Sequence, residues 1–266
     1  MFTVIGERIN MTRKRIKEEV WKRNEEFIVS EVTKQEKAGA THIDINAGGD
    51  PNKEVEDMIW LTNIVSKATK LPLVFDSTNE KAIEEGLKLC NREGTIINSI
   101  TAEEKRIEKI LPLVKKYGTA IVVLTMDDKG MPSDSDRRIE ITRGIIKLLQ
   151  AEGISQDKIY IDPLIRPVST EPKQAQFILQ AVRIIKQEFS SVHICVGLSN
   201  ISFGLPQRNN LNKVFLAMLI EAGCDGAIID PTEADMMNTL LSARAVAGLD
   251  EYCMEYITAY REGKLK

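Results

Sequence analysis

The chain has 266 residues, 43% of them apolar and 28% charged, with a formal net charge of −3. That is enough apolar sequence for a substantial core, and the slightly acidic balance argues against a nucleic-acid binder. No apolar run approaches the roughly 20 residues needed to span a bilayer.

In chain order, short β-rich runs alternate with longer amphipathic segments. Strands are expected at Phe2–Ile5, His42–Ile45, Pro72–Phe75, Thr95–Ile97, Ala120–Leu124, Lys158–Ile161, His193–Val196 and Gly226–Ile229. Between them, helical spacing of apolar residues predicts helices over Lys53–Ala68, Glu80–Cys90, Glu103–Tyr117, Asp136–Ala151, Pro172–Glu188, Leu211–Ala222 and Glu233–Ala247. Asn79 reads as a helix cap and Thr101-Ala-Glu-Glu104 as a capping box, while Gly39, Gly118, Gly153 and Gly223 mark left-handed helix exits. The charged stretch Thr12–Glu26 reads as a solvated face or a mobile loop over a barrel mouth. The last segment, Asp250–Leu265, reads as a short amphipathic helix for the barrel wall or a subunit contact. Eight β/α units in this length, without a linker, imply an α/β fold: one (β/α)₈ TIM barrel domain over residues 1–266. A doubly wound sheet fits less well, because the turn after the first strand, Gly6-Glu-Arg-Ile-Asn10, holds one glycine.

Cys90, Cys195, Cys224 and Cys253 are widely spaced and form no metal-ligand pair, so buried or half-buried free thiols are expected. His42 and His193 lie inside strand-like runs and read as packed or hydrogen-bonded side chains. No protein-bound metal is expected. The N-terminal Met1-Phe-Thr-Val-Ile-Gly6 carries no charged leader, and the expected location is cytoplasmic.

The chemistry concentrates where the strands end: Glu7 and Asn10, Asp44 and Asn46, Asp76, Asn98, Asp127, Asp162, Asn200 and Asp230. The C-terminal ends of parallel barrel strands face the active site. Carboxylates and amides converging there suit a neutral heterocycle rich in N–H and C=O groups, a pterin-like ligand. A phosphate would want Gly-rich turns and cations. If the acids converge, a ligand, a cation or protonation must offset their repulsion.

Gly6-Glu-Arg-Ile-Asn10, Asp44-Ile-Asn-Ala-Gly48, Asp76-Ser-Thr-Asn79, Asn98-Ser99, Asp162-Pro-Leu164 and Gly197-Leu-Ser-Asn-Ile-Ser-Phe-Gly-Leu-Pro206 resemble the pterin-binding methyltransferases. These include the methyltetrahydrofolate:corrinoid methyltransferases and the folate domain of cobalamin-dependent methionine synthase. The resemblance spans almost the whole chain and is greatest to the short, free-standing enzymes of anaerobes, which act as homodimers. It implies one-carbon metabolism, in which a methyl group passes between N5 of methyltetrahydrofolate and the cobalt of a corrinoid. Asp76, Asn98 and Asp162 would bind the pyrimidine side of the pterin, and Asn200 would sit beside N5. Ser199 and Asp44 would belong to the surrounding network, Arg208 would contact ligand from the loop after the seventh strand, and Glu7 and Asn10 are weaker carry-overs.

On chemical grounds, a tertiary amine leaves poorly unless positive charge develops at N5. An amide such as Asn200 can rotate to accept from a protonated N5 or donate to a neutral one, strengthening its bond as charge develops. A water-linked network with Asp44 or Asp76 would supply the proton. The chain lacks a corrinoid motif of the Asp-x-His-x-x-Gly kind, so a corrinoid protein is the expected partner. Dihydropteroate synthase is the nearest rival. Its loop after strand one, its Lys near strand seven and its Arg-x-His after strand eight have no counterpart in Asn10-Met-Thr-Arg-Lys14, Gly197-Leu-Ser-Asn200 or Ile229-Asp-Pro-Thr232. Two further alternatives are transfer toward tetrahydrofolate in an anaerobic demethylation system and a folate binder without catalysis.

Overall fold

The computed structural model describes residues 2 to 265. Eight parallel strands close into a barrel in sequence order: β1 (Thr3–Asn10), β2 (His42–Asn46), β3 (Leu73–Asp76), β4 (Ile96–Thr101), β5 (Ala120–Leu124), β6 (Ile159–Asp162), β7 (His193–Gly197) and β8 (Gly226–Ile229). Around it lie α1 (Lys14–Trp21), α2 (Glu25–Lys37), α3 (Glu54–Ala68), α4 (Glu80–Leu89), α5 (Glu104–Tyr117), α6 (Ser135–Ala151), α7 (Gln174–Glu188), α8 (Arg208–Glu221), α9 (Ala234–Val246) and α10 (Met254–Arg261). The predicted TIM barrel is observed.

Strand alternation builds the interior. Ile5, Val74, Ile96, Val122 and Cys195 form a small central cluster, with Ala120, Leu124, Tyr160 and Ile228 packed against it. Their neighbours in the strands face outward and join the larger core beneath the helices, as Phe75, Ile97 and Val123 do. A period of two therefore carries the inward face from Ile5 to Glu7, Val74 to Asp76, Ile96 to Asn98, Tyr160 to Asp162 and Ile228 to Asp230. The acids and amides at the mouth are the next inward-facing step beyond an apolar plug.

Several strands run further than the sequence pattern indicates, because their polar ends still pair. Asn46, Asp76 and Asn98 stand in register across β2, β3 and β4. The register shifts between Gly6 and Ile9 of β1 and between Asn98 and Ile100 of β4. Such irregularities re-aim side chains at barrel rims.

Three local expectations are corrected. The charged Thr12–Glu26 stretch is not a loop: it holds α1 and the start of α2, and its charges form a solvated face over buried Ile16 and Val20. Thr101 does not cap a helix but ends β4, where its hydroxyl bonds the Glu103 carboxylate at 2.8 Å. Cys253 is exposed, whereas Cys90, Cys195 and Cys224 are buried. Asn79 does cap α4, accepting from the Lys81 amide at 3.1 Å. The four glycines named as helix exits all have positive φ.

Candidate active site

The mouth divides into two halves. One is a cavity of about 540 Å³ whose wall includes Glu7, Asn10, Ser199, Asn200 and Arg208. The other is a set of buried acceptors, Asp44, Asn98 and Asp162, with Asp76 half-buried beside them. Of the residues assigned a catalytic or binding role from the sequence, Asn10, Asp76 and Asp162 end their strands, Ser199, Asn200 and Arg208 follow β7, and Glu7, Asp44 and Asn98 lie within β1, β2 and β4. Asp127 leaves the set, because Arg137 pairs with it beyond β5.

Asp44 is 1% exposed and stands in register with apolar Val74, one layer below the rim. Burial, then the nearby charges of Asp76 and Glu7, push its pKa well above the usual carboxylate range, against a hydrogen bond with the Asn98 side chain. Its Oδ1 has no hydrogen-bond partner among the described residues. Burial also raises Asp76, although the Asn46 amide donates to its Oδ2 at 2.8 Å. Asn46 is locked in that orientation, since its own oxygen accepts from the Gly48 N–H at 2.9 Å. Glu7 is raised by burial and by Asp230, despite a 2.6 Å ion pair with Arg13.

Asp162 closes the opposite side. Its Oδ1 accepts from the Leu164 N–H at 2.8 Å, and the Gly197 N–H supports it from β7. Burial still pushes it up to about 6. Asp230 behaves differently: burial opposes its charge, but Thr232 and Arg8 outweigh this and hold it low. Arg8 reaches it at 2.7 Å. At Asp230 the partners outweigh burial and keep the acid ionised, whereas at Asp44, Asp76, Asp162 and Glu7 burial outweighs the partners, even the Arg13 ion pair of Glu7.

Beyond β7 the chain winds into a 3₁₀ turn, Leu198–Ser202, that carries Ser199 and Asn200. The Asn200 side chain has no hydrogen-bond partner among the described residues and projects at the cavity wall. Gly197 makes room for it, since a Cβ there would lie 3.2 Å from Asn200 Nδ2. Arg208, the first residue of α8, holds the same turn: its Nη2 donates to the Ser199 carbonyl at 2.6 Å and its Nε to Ser202 Oγ at 3.1 Å. Asn10 uses its oxygen locally, accepting from the Thr12 N–H and hydroxyl at 2.9 and 2.6 Å.

Two supporting arginines escaped sequence reasoning. Arg106 of α5 donates to the carbonyls of Ser77, Thr78 and Ser99, in the turns carrying Asp76 and Asn98. Arg138 of α6 donates to those of Pro163 and Leu164, beside Asp162. Both sit at helical spacing with buried apolar residues, Arg106 with Ile110 and Leu113, Arg138 with Ile145 and Leu149. That spacing was available in the sequence.

A parallel barrel with a mouth of under-compensated acceptors and a free amide defines a class: barrel proteins built for a neutral, N–H-rich ring. Residues 6–230 match the model for pterin binding enzymes, and the chain belongs to that family. It is 32% identical over 264 residues to the methylcorrinoid:tetrahydrofolate methyltransferase of Eubacterium limosum, covering 98% of this chain and 97% of that protein. It is 30% identical over 260 residues to the methionine synthase of Mycobacterium tuberculosis, where 93% of this chain spans 22% of the longer protein. Among solved structures, the dihydropteroate synthase of Yersinia pestis with a sulfonamide drug superimposes with a TM-score of 0.71 at 15% identity, covering 93% of this chain and 94% of that one. The Thermus thermophilus synthase gives 0.67 at 17%, covering 95% and 94%. At such identities the likeness concerns the fold alone.

Proposed function

We propose that this chain transfers a methyl group between N5 of methyltetrahydrofolate and the cobalt of a corrinoid carried by a partner protein. The observation that carries this reading is the unpartnered Asn200 amide at the cavity wall, with buried Asn98 and Asp162 and half-buried Asp76 at the same end of the barrel. Pterin amino and ring N–H groups are donors, and these side chains supply acceptors on β3, β4 and β6. Ser199 and Arg208 set the turn that presents Asn200, and Glu7 and Asn10 line the cavity beside it.

The chain's chemical task is to place charge on N5 and hold it there. Burial raises Asp44, Asp76 and Glu7, and the charges of Asp76 and Glu7 raise Asp44 further, so this cluster holds a proton to higher pH than ordinary carboxylates do. In demethylation that proton reaches N5 through water, and the Asn200 amide turns its oxygen to the protonated nitrogen. The bond is stronger in the charged state than in the neutral one, which is the differential binding that lowers a barrier. Toward tetrahydrofolate the neutral N5 lone pair takes the methyl group, and the proton displaced from N5 returns through water to the carboxylates. The corrinoid supplies the cobalt that gives or takes the methyl group. Among the described residues no cluster of His, Cys, Asp or Glu is arranged to hold a metal ion.

We favour transfer toward tetrahydrofolate, the direction printed in the name of the E. limosum relative. Synthase activity is disfavoured: β7 leads into Leu198-Ser-Asn200 without a lysine, and Asp230 after β8 is bound by Arg8. Unpaired thiols fit the reducing cytoplasm, and no helix among the described residues is long and apolar enough to cross a membrane. Exposed Val214, Met218, Val246, Tyr252 and Tyr260 on or beside the last three helices support a homodimer.

The test is anaerobic turnover with free cobalamin, followed by visible absorbance in both directions. Methyl exchange between cobalamin and folate is expected. Absence of exchange both ways, with folate binding shown by calorimetry, would contradict the assignment.

A further inference from the structure

Arg138 is wholly buried, yet no carboxylate lies within ion-pair distance of it among the described residues. Its guanidinium is satisfied by neutral oxygens alone: Nε to the Pro163 carbonyl at 2.7 Å, Nη1 to the Asp134 carbonyl at 2.8 Å, and Nη2 to Gln174 Oε1 at 3.0 Å and the Leu164 carbonyl at 3.2 Å. A buried cation without a counter-ion is a costly way to brace a turn, and a neutral donor would brace it with a smaller desolvation penalty.

The turn it braces is the one that aims Asp162. Leu164 has φ of 54°, a left-handed conformation that disfavours a residue with a Cβ. In that conformation its N–H points inward to Asp162 Oδ1 while its carbonyl points outward to Arg138. One residue thus transmits the guanidinium's grip to the carboxylate. The charged and titratable groups around Asp162 are few: Arg138 from α6, the Cys195 thiol on β7 and the Cys224 thiol before β8. Arg166, in the loop after β6, and Asp134, before α6, act on Arg138 itself. Leu124, beside Asp162 on β5, is apolar. Arg138 is therefore the cation that faces Asp162. Arg106 repeats the arrangement on the other side of the mouth, gripping carbonyls behind Asp76 and Asn98.

We infer that Arg138 is a positioning residue for pterin recognition, fixing the Asp162–Leu164 turn through four neutral acceptors and lending its unpaired charge to the ionised Asp162. This rests on the reading of Asp162 as a pterin acceptor. The geometry calls for both properties of arginine, a fork that spans two carbonyls and a charge that stays on in a dry site.

The experiment is calorimetric titration of methyltetrahydrofolate between pH 5.5 and 8 with wild type, Arg138→Gln, Arg138→Lys, Asp162→Asn and the Arg138→Gln/Asp162→Asn double variant. Folding of each is checked by circular dichroism. Arg138→Gln is expected to weaken binding about tenfold and to move the pH at which affinity is half lost upward. Arg138→Lys should keep the wild-type pH midpoint while recovering only part of the affinity. The double variant should bind no more weakly than Asp162→Asn, because the arginine acts through that carboxylate. Should Arg138→Gln fail to fold, Arg138→Lys against wild type still decides: wild-type affinity in that variant overturns the positioning role. A folded Arg138→Gln with wild-type affinity and pH midpoint, or additive losses in the double variant, would also overturn it. If Asp162→Asn itself binds normally, the pterin assignment of Asp162 is what fails.

Discussion

The two ends of the barrel use acidic side chains in opposite ways. At the N-terminal end, Asp225 accepts from the Ile194 N–H at 2.6 Å, from His193 Nδ1 at 3.0 Å and from Lys186 at 3.2 Å. His193 stacks on Tyr160 with ring centroids 4.6 Å apart. Burial opposes the charge on Asp225, but these partners outweigh it and hold the acid below its ordinary range. At the C-terminal mouth, Asp230 apart, the acids Asp44, Asp76, Asp162 and Glu7 are raised, with burial the largest cause for each. The closed end satisfies its charges internally. The mouth leaves acceptors waiting for donors that a ligand brings, and carries a stability cost in exchange.

The largest effect should come from the free amide. Asn200→Ala is expected to slow single-turnover methyl transfer by about 10²–10³-fold, the range for losing one transition-state hydrogen bond, while folate affinity falls far less. Equal losses in both would make Asn200 a binding residue. Asp162→Ala should act the other way round, costing about 2–4 kcal/mol of pterin affinity by calorimetry through loss of a buried charge-assisted acceptor. At the closed end, Asp225→Asn should leave turnover untouched and lower stability by about 1–2 kcal/mol at neutral pH. The sign follows from its depressed pKa: the contribution is present above the unfolded carboxylate value and is lost as pH falls through the folded one. Thermal melts of variant and wild type should therefore converge in acid. The smallest effect is expected from Gly197→Ala, whose methyl group would press on Asn200 Nδ2 and slow turnover several-fold with affinity nearly intact.

Much of this contrast was legible in the sequence, because a parallel barrel converts linear order into depth. An apolar run that stops at Asp76, Asn98 or Asp162 places that residue at the mouth once the strands close. What stayed hidden was supplied across the chain. Helical spacing hints that Arg106 and Arg138 face inward, but nothing local to either announces which strand's carbonyls its guanidinium reaches. The helix α1 was obscured by its charges, since only Ile16 and Val20 face the core. Thr101 fits a capping-box pattern, yet β4 extends through it and consumes the backbone the cap would need. Depth within the mouth was equally invisible. Asp44 and Asp76 look alike in sequence, but register with Val74 puts Asp44 one layer lower, where burial acts most strongly.

Asp162→Asn tests the exchange of stability for binding most directly. Its raised folded pKa means that the acid favours the fold below its unfolded value and that this contribution is lost as pH rises through about 6. The displacement corresponds to about 3 kcal/mol at neutral pH. Melted at pH 7.5, Asp162→Asn should be more stable than wild type, with the gain gone at pH 4, and the same protein should bind tetrahydrofolate at least tenfold more weakly. A variant that is less stable at pH 7.5 yet binds folate as wild type does would contradict the proposed role of the mouth.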